Sequence, residues 1–178
     1  MRIKTMVVTV LSVVMMMFSA VGFAQISEED LNIGGIYFGQ SMDEIVAKYG
    51  DSIRTLQGVP VGRRYVFLVD GSEIIISPGK GKAGTLMIEG DSKLLTNKGI
   101  GLQSTLDDVI NVYGTPDSDE FNPVYKIRNI SYRVGGNVSS SEASNLPEEV
   151  KKLVFSFRDG FICRILVRKE YVGGAGIP

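Results

Sequence analysis

The sequence predicts an α+β fold made of two tandem copies of one unit, a helix plus a three- to four-stranded antiparallel sheet, with the helices packed on one face. Three observations predict it: residues 35–50 recur in altered form as residues 99–114, short apolar runs follow each copy, and glycine-containing turns separate these runs. We expect the two copies, residues 25–92 and 93–171, to form one composite domain, followed by a flexible tail of residues 172–178.

The chain begins with the three parts of a secretory signal peptide. Arg2 and Lys4 precede the apolar run of residues 7–18, and Gly22-Phe23-Ala24 places small residues where a signal peptidase reads. The alternative, an uncleaved anchor, is disfavoured because a span needs about 20 apolar residues. The sequence therefore predicts a signal peptide over residues 1–24, no stable membrane insertion after cleavage, and an exported protein, periplasmic or extracellular.

Each copy of the repeat predicts one short helix. The copies read GIYFGQSMDEIVAKYG (35–50) and GIGLQSTLDDVINVYG (99–114). Ser41 and Thr105 are expected N-caps, and the acid three residues later predicts a capping box at both. Apolar residues then recur at helical spacing, and Gly50 and Gly114 end the helices.

Strands are predicted after each helix. In the first copy they cover residues 63–69, 72–77 and 85–90, and in the second copy 125–134, 152–157 and 161–167. Asp70-Gly71 and the segment PGKGKAG are expected turns. The long loop 135–149 is either functional or disordered, and its candidate contact residues are Asn137, Ser139, Ser140, Ser141, Glu142 and Asn145.

The last hairpin carries the candidate partner-binding face. A three-residue loop, Arg158-Asp159-Gly160, is predicted because a two-residue loop would turn Arg164 toward the core. Phe161 and Cys163 then face the core, and the opposite face mixes aliphatic and basic residues, as binding surfaces often do. The alternatives are an ordinary surface or contact with the other half. The candidate face comprises Lys152, Val154, Ile162, Arg164, Leu166 and Arg168.

The composition excludes several chemistries. With no histidine and one cysteine, Cys163, the chain has no Ser-His-Asp or Cys-His site and no usual zinc site. The acidic segment 117–122 lacks the spacing of an EF-hand loop and is interpreted as a turn. A net charge of −1 without a basic block argues against nucleic acid. No catalytic, cofactor-binding or metal-ligating residue is predicted.

The repeated pattern, a glycine, Ser or Thr, an acid, an aliphatic residue and then Tyr-Gly, resembles the superfamily of the SmpA/OmlA (BamE-like) outer-membrane assembly lipoproteins and the β-lactamase inhibitory protein. The likeness covers residues 33–170 and is clearest at 35–50 and 99–116. It implies a binding module outside the cytoplasm, without catalysis. The chain departs from that family by having no disulfide, tryptophan or lipid-attachment cysteine, so no β-lactamase target is carried over.

The first functional hypothesis is therefore an exported, non-catalytic protein-interaction module, inhibitor-like or envelope-associated, that binds a protein partner. The alternative is a binder of a small molecule or cell-wall ligand in the space between the halves. A third hypothesis is a glycan hydrolase, which would need two carboxylates about 5–10 Å apart across a cleft.

Overall fold

The computed structural model describes residues 26–58, 62–134 and 148–172. Its main feature is one antiparallel sheet of eight strands in the order β3-β4-β5-β6-β10-β9-β8-β7, beside a small hairpin of β1 and β2. The elements are a 3-10 turn (Glu28–Asp30), β1 (Asn32–Ile33), β2 (Ile36–Tyr37), α1 (Met42–Tyr49), β3 (Arg54–Gly58), β4 (Gly62–Val69), β5 (Ser72–Gly79), β6 (Lys82–Glu89), α2 (Leu106–Tyr113), β7 (Ser118–Asn122), β8 (Ile127–Val134), β9 (Glu148–Arg158) and β10 (Phe161–Val172).

The predicted fold class, α+β with two tandem helix-plus-sheet units, is wrong. The chain is mostly β, with two eight-residue α-helices in its described part, and strands from both predicted units form one continuous eight-stranded sheet. The sheet is continuous because β6 and β10 pair at its centre, where Ile165 lies opposite Ile88 and Val167 opposite Leu86. This pairing satisfies the backbone groups of two strands that would otherwise be sheet edges.

One hydrophobic core lies between the helices and the sheet. It unites Ile45 of α1 and Val109 of α2 with Phe67 and Phe155 from the two halves of the sheet, and all four are essentially inaccessible. Neither helix could persist alone at this length, so burial of its apolar side against the sheet stabilises it. The shared core is a second reason why the halves are not separate units.

The helix caps differ from each other. Thr105 forms the predicted capping box, because its backbone N–H and hydroxyl donate to the Asp108 carboxylate at 2.7 and 2.8 Å while its Oγ1 accepts from the Asp108 N–H. Ser41 accepts only from the N–H of Asp43, at 3.3 Å. A capping box at Ser41 is therefore not formed.

Two edge strands were not predicted. β3 (Arg54–Gly58) pairs with β4, and β7 (Ser118–Asn122) pairs with β8. The interpretation of segment 117–122 as a turn is wrong, because most of it forms β7. Both strands are polar and largely exposed, and so lack the apolar alternation by which strands are recognised.

The last hairpin has a two-residue turn, so the predicted three-residue loop is wrong. Asp159 and Gly160 have φ of 54° and 89°, as a type I′ turn requires, and Phe161 lies opposite Arg158. The register then shifts between Ile162 and Arg164, which leaves Cys163 as a β-bulge without a partner on β9. The bulge turns Arg164 away from the core.

The two α-helices of the described residues are short, and no helix in that part of the chain has the length and apolar character to cross a bilayer.

Candidate functional site

The face of the eight-stranded sheet turned away from the helices, here called the open face, contains most of the predicted binding residues. Arg164, Leu166 and Arg168 project from β10 on this face, and their partners on β9 are Ser156, Val154 and Lys152. The hydrophobic core lies on the other side of the sheet. Five of the six predicted residues are thus brought together.

Ile162 is the exception, and its assignment to the open face is wrong. It is 3% exposed and belongs to the core beneath the helices, opposite Phe157. Phe161, predicted to face the core, is 51% exposed instead. Both errors have one cause, since the turn is one residue shorter than predicted and the bulge at Cys163 compensates for it.

A single register row, here called the central row, crosses the open face and takes one residue from each strand. Its middle five members are apolar, and they come from both halves of the chain. Val66 and Ile75 are buried, although they are not part of the core, and the other three are half-buried. In order from β7 to β3 the central row is Ser118, Ser131, Val154, Leu166, Met87, Ile75, Val66 and Arg54.

An ion pair joins the halves beside the central row. Arg164 of β10 donates from Nε and Nη2 to one oxygen of Glu89 on β6, at 3.0 and 2.9 Å. Arg54 makes a similar pair with Glu73, at 2.5 Å. The two arginines place charged groups at the border of the apolar middle. The open face therefore has an apolar centre surrounded by charged residues, an arrangement that is common in binding surfaces.

Hollows open around the Arg164–Glu89 pair. Arg164 contributes to a hollow of about 270 Å³ over β7–β10 and to one of about 580 Å³ beside Phe161, while Glu89 also lines one of about 500 Å³ over β5 and β6. A fourth, of about 400 Å³, lies along the segment between the halves at residues 91–95 and 101–104. The hollows of about 270 and 500 Å³ are lined in part by residues of the central row, so the open face is not flat.

Other residues considered from the sequence have structural roles where they are described. Asp108 completes the Thr105 cap, and the hydrogen bonds from Thr105 hold the pKa of its carboxyl below the usual range. In the acidic segment, Asp119 pairs with Arg128, which lowers the pKa of Asp119. The described residues hold no cluster of three or more potential metal-ligating side chains. The candidate contact residues from Asn137 to Asn145 lie outside the described residues.

The sequence analysis missed the residues that the first half of the chain contributes to the open face. Val66, Ile75 and Met87 continue the apolar middle across the β6–β10 junction. A signal for them exists: Ile74, Ile75 and Ile76 are consecutive, so β5 is apolar on both faces, and a strand of that kind needs cover or a ligand on each side.

Comparisons with known proteins assign no family to this chain. Neither protein-family models nor curated proteins match it. Among solved structures it is similar to a DUF4309 family protein (YjgB) from Bacillus subtilis subsp. subtilis str. 168, with a TM-score of 0.44 and 11% sequence identity, over 73% of this chain and 78% of that chain. A likeness this distant supports no conclusion about activity, partner or ligand.

Proposed function

We propose that this chain is an exported, non-catalytic protein-interaction module that binds a protein partner through the open face. The observation that carries the proposal is the central row, whose apolar middle is continuous across both halves on the side of the sheet opposite the core. Val154, Leu166 and Met87 are half-buried in this row, and partly accessible apolar side chains bordered by charged residues are typical of protein-binding sites. With the signal peptide predicted for residues 1–24, we expect the partner in the periplasm or outside the cell.

The size of the open face fits this role. Eight strands span about 34 Å across the sheet, and the three register rows around the central row cover about 20 Å along the strands. The resulting surface is on the order of 700 Å², close to the roughly 800 Å² that each partner contributes to a standard interface. Rigid strands also hold these side chains in place before binding, which lowers the entropic cost of association.

The first prediction concerns partner capture from envelope and secreted fractions of the source organism. Tagged mature chain (residues 25–178) is expected to retain a stoichiometric partner that is lost when Arg164→Glu and Leu166→Ser are combined. The double substitution places an acid beside Glu89 and a hydroxyl in the apolar middle. Mass spectrometry identifies the partner, and calorimetry with the purified protein measures its affinity.

The matched control combines Arg63→Glu with Val46→Ser. Arg63 is an exposed strand residue on the helix side of the same sheet, and Val46 is 37% exposed on α1. The control repeats both chemical changes away from the open face, and circular dichroism checks that both variants fold. Equal retention of the partner by the two variants would contradict the proposed site, and an empty capture by folded wild-type chain would contradict the proposed function.

A second candidate, a binder of a small molecule or cell-wall ligand, is favoured by the hollow of about 580 Å³ that residues of both halves line. Leu102, Phe161 and Ile127 give it an apolar part, and Arg158 and Arg164 a charged part. Native mass spectrometry of the purified chain distinguishes the candidates, since a bound compound that Phe161→Ala releases would support ligand binding.

A further inference from the structure

Three cations on the open face surround one carboxylate. Arg133, Lys152 and Arg168 occupy one register row on β8, β9 and β10, next to the central row, and are here called the basic cluster. Glu170, two residues beyond Arg168, contacts the Lys152 ammonium and accepts from Arg168 Nη2 at 3.0 Å. Hydrogen bonding from Lys152, with the charges of Lys152, Arg168 and Arg133, holds the pKa of Glu170 below its usual range.

One carboxylate cannot neutralise three cations, and a second one, Glu120, lines the hollow beside them. Glu89 accepts both donors of Arg164, and Glu120 accepts from the Ser118 hydroxyl at 3.2 Å. Asp117 accepts from the backbone N–H of Arg133 at 2.6 Å. Counting Arg164, this part of the open face has four cations and three carboxylates, Glu89, Glu120 and Glu170, which is an excess of one positive charge although the whole chain is mildly acidic.

An unpartnered donor points to the same place. The Nε of Arg133 is buried and has no hydrogen-bond partner among the described residues. A buried donor normally has a hydrogen-bond partner, and a donor without one lowers the stability of the folded structure. A ligand that accepts a hydrogen bond here would relieve that defect; Arg64 Nε, outside the basic cluster, is unpartnered among the described residues in the same way.

The chemistry of the basic cluster selects the ligand. A guanidinium presents a planar fork of donors that matches a carboxylate. Val154 and Leu166 of the central row lie one side-chain repeat away, about 7 Å along the strands. Lys152, Arg168 and Glu170 line the same hollow of about 270 Å³ as these two aliphatic residues. Arg133 does not line the hollow but lies next to Lys152 in the same register row, so the cluster suits a carboxylate with an apolar neighbour, as an acidic peptide segment provides.

We propose that the basic cluster binds an acidic side chain of the protein partner, whose carboxylate joins Arg133 and Arg168 while an adjacent apolar residue contacts Val154 and Leu166. This assignment rests on the proposed function and names the chemistry of the partner. Glu170 is the internal competitor, because it occupies part of the same donor set in the free protein.

The test titrates isotope-labelled mature chain with the peptide acetyl-Val-Glu-Leu-Glu-Val-amide and with its glutamine counterpart, followed by NMR. We expect shifts in the amides of β8, β9 and β10, and about tenfold tighter binding of the glutamate peptide, as one or two charge-assisted hydrogen bonds provide. Arg168→Gln, at a side chain that is 45% exposed, should remove most of this preference without affecting folding. Arg133→Gln should do the same, and Arg63→Gln should not.

The Glu170→Gln variant distinguishes a binding cluster from one that has only a structural role. Removing the internal competitor should tighten binding of the glutamate peptide several-fold, whereas weaker binding would overturn the proposal. Equal binding of the two peptides would also overturn it, as would inorganic phosphate that shifts the same amides at lower concentration than the glutamate peptide.

The capture experiment separates this proposal from the proposed function. A partner lost with Leu166→Ser but fully retained by Arg133→Gln and Arg168→Gln would overturn the carboxylate site and leave the interaction module standing. A glutamate preference in a chain that captures no protein would support the carboxylate site and count against the protein partner.

Discussion

Tyr113 and Tyr132 place two phenol groups among aromatic rings on the helix side of the sheet. The Tyr113 hydroxyl donates to Thr96 Oγ1 and the Tyr132 hydroxyl to the Gly114 carbonyl, both at 2.9 Å. Their rings lie 5.4 and 6.1 Å from that of Phe155, centroid to centroid. Burial raises the pKa of Tyr113 and that of Tyr132 to about 12, because the phenolate would lose its hydration.

These two tyrosines predict a loss of stability in alkali. The pKa of tyrosine in an unfolded chain is about 10. Below that pH both tyrosines are protonated in the folded and in the unfolded chain, and their full contribution to the free energy of unfolding is present. As pH rises from there through about 12, the unfolded chain ionises first, so the free energy of unfolding falls. Urea unfolding across this range should show a shallower fall for Tyr113→Phe, at a cost of about 1 kcal/mol near neutral pH from the lost hydrogen bond.

The control for this alkaline effect is Tyr125→Phe, at a side chain that is 67% exposed. The pH profile of this variant should match that of the wild type. If Tyr113→Phe matched the wild-type profile equally well, the assigned cause would be wrong.

Helical spacing indicated from the sequence that Tyr113 faces the core, and the structure confirms its burial. The same reasoning failed for Ile162, because a strand shows its inward face only if its register is regular. Nothing local in the segment FICRILV reveals a bulge. The face on which a candidate residue lies was predicted correctly where the strands are regular, at Val154, Leu166 and Arg168.

At the scale of elements, the bulge at Cys163 allows a deletion prediction. Ile162 and Ile165 face the core and Arg164 faces away, so without Cys163 the three would alternate as in a regular strand. The thiol also donates to the Ser156 carbonyl at 3.3 Å, a weak bond. We therefore expect the Cys163 deletion to fold in the same register, with the free energy of unfolding lowered by about 1 kcal/mol.

Deletion of Leu166 is the matched comparison. It would turn Val167 away from the core and break the alternation of β10, and a one-residue slip of this kind moves the buried side chains beyond it to the opposite face. Urea unfolding and NMR spectra should show a folded Cys163 deletion and an unfolded Leu166 deletion. Two equally disrupted proteins would mean that the bulge itself is required.

The helices could be predicted from the sequence because their caps and apolar spacing are local features. Their bounds, Met42–Tyr49 and Leu106–Tyr113, follow the expected N-caps and glycines. The turn at Asp70-Gly71 could be predicted for the same reason, since both residues have positive φ. The edge strands β3 and β7 could not, because polar residues exposed on both faces leave no period to detect.

At the scale of the whole molecule, the junction of β6 with β10 decides how the chain unfolds. Leu86 and Ile88 of one half lie opposite Val167 and Ile165 of the other, in one core. We predict a single cooperative urea transition for the mature chain, the same by circular dichroism and tyrosine fluorescence. This outcome would agree with the one composite domain predicted from the sequence.

The fragment of residues 25–92 provides the complementary measurement. Without β10 it exposes β6 and half of the shared core, so we expect no folded monomer in size-exclusion chromatography and NMR. A monomer with a dispersed spectrum would show that this half is an independent domain. Sequence alone could not predict the junction, because which strands meet across the two halves depends on contacts between distant parts of the chain.

The order of the strands also governs how quickly the sheet can be completed. The other neighbouring strands of the eight-stranded sheet are adjacent in sequence, but β6 and β10 are not, and Arg164 lies 75 positions from Glu89. Most of the hairpins close short loops and can form early, and even the connection from β8 to β9 is much shorter than the one from β6 to β10, whose closure costs the most chain entropy. We infer that joining β6 to β10 is the late step of folding. Until then both strands remain open to pairing between chains, so the yield of refolding should fall as protein concentration rises.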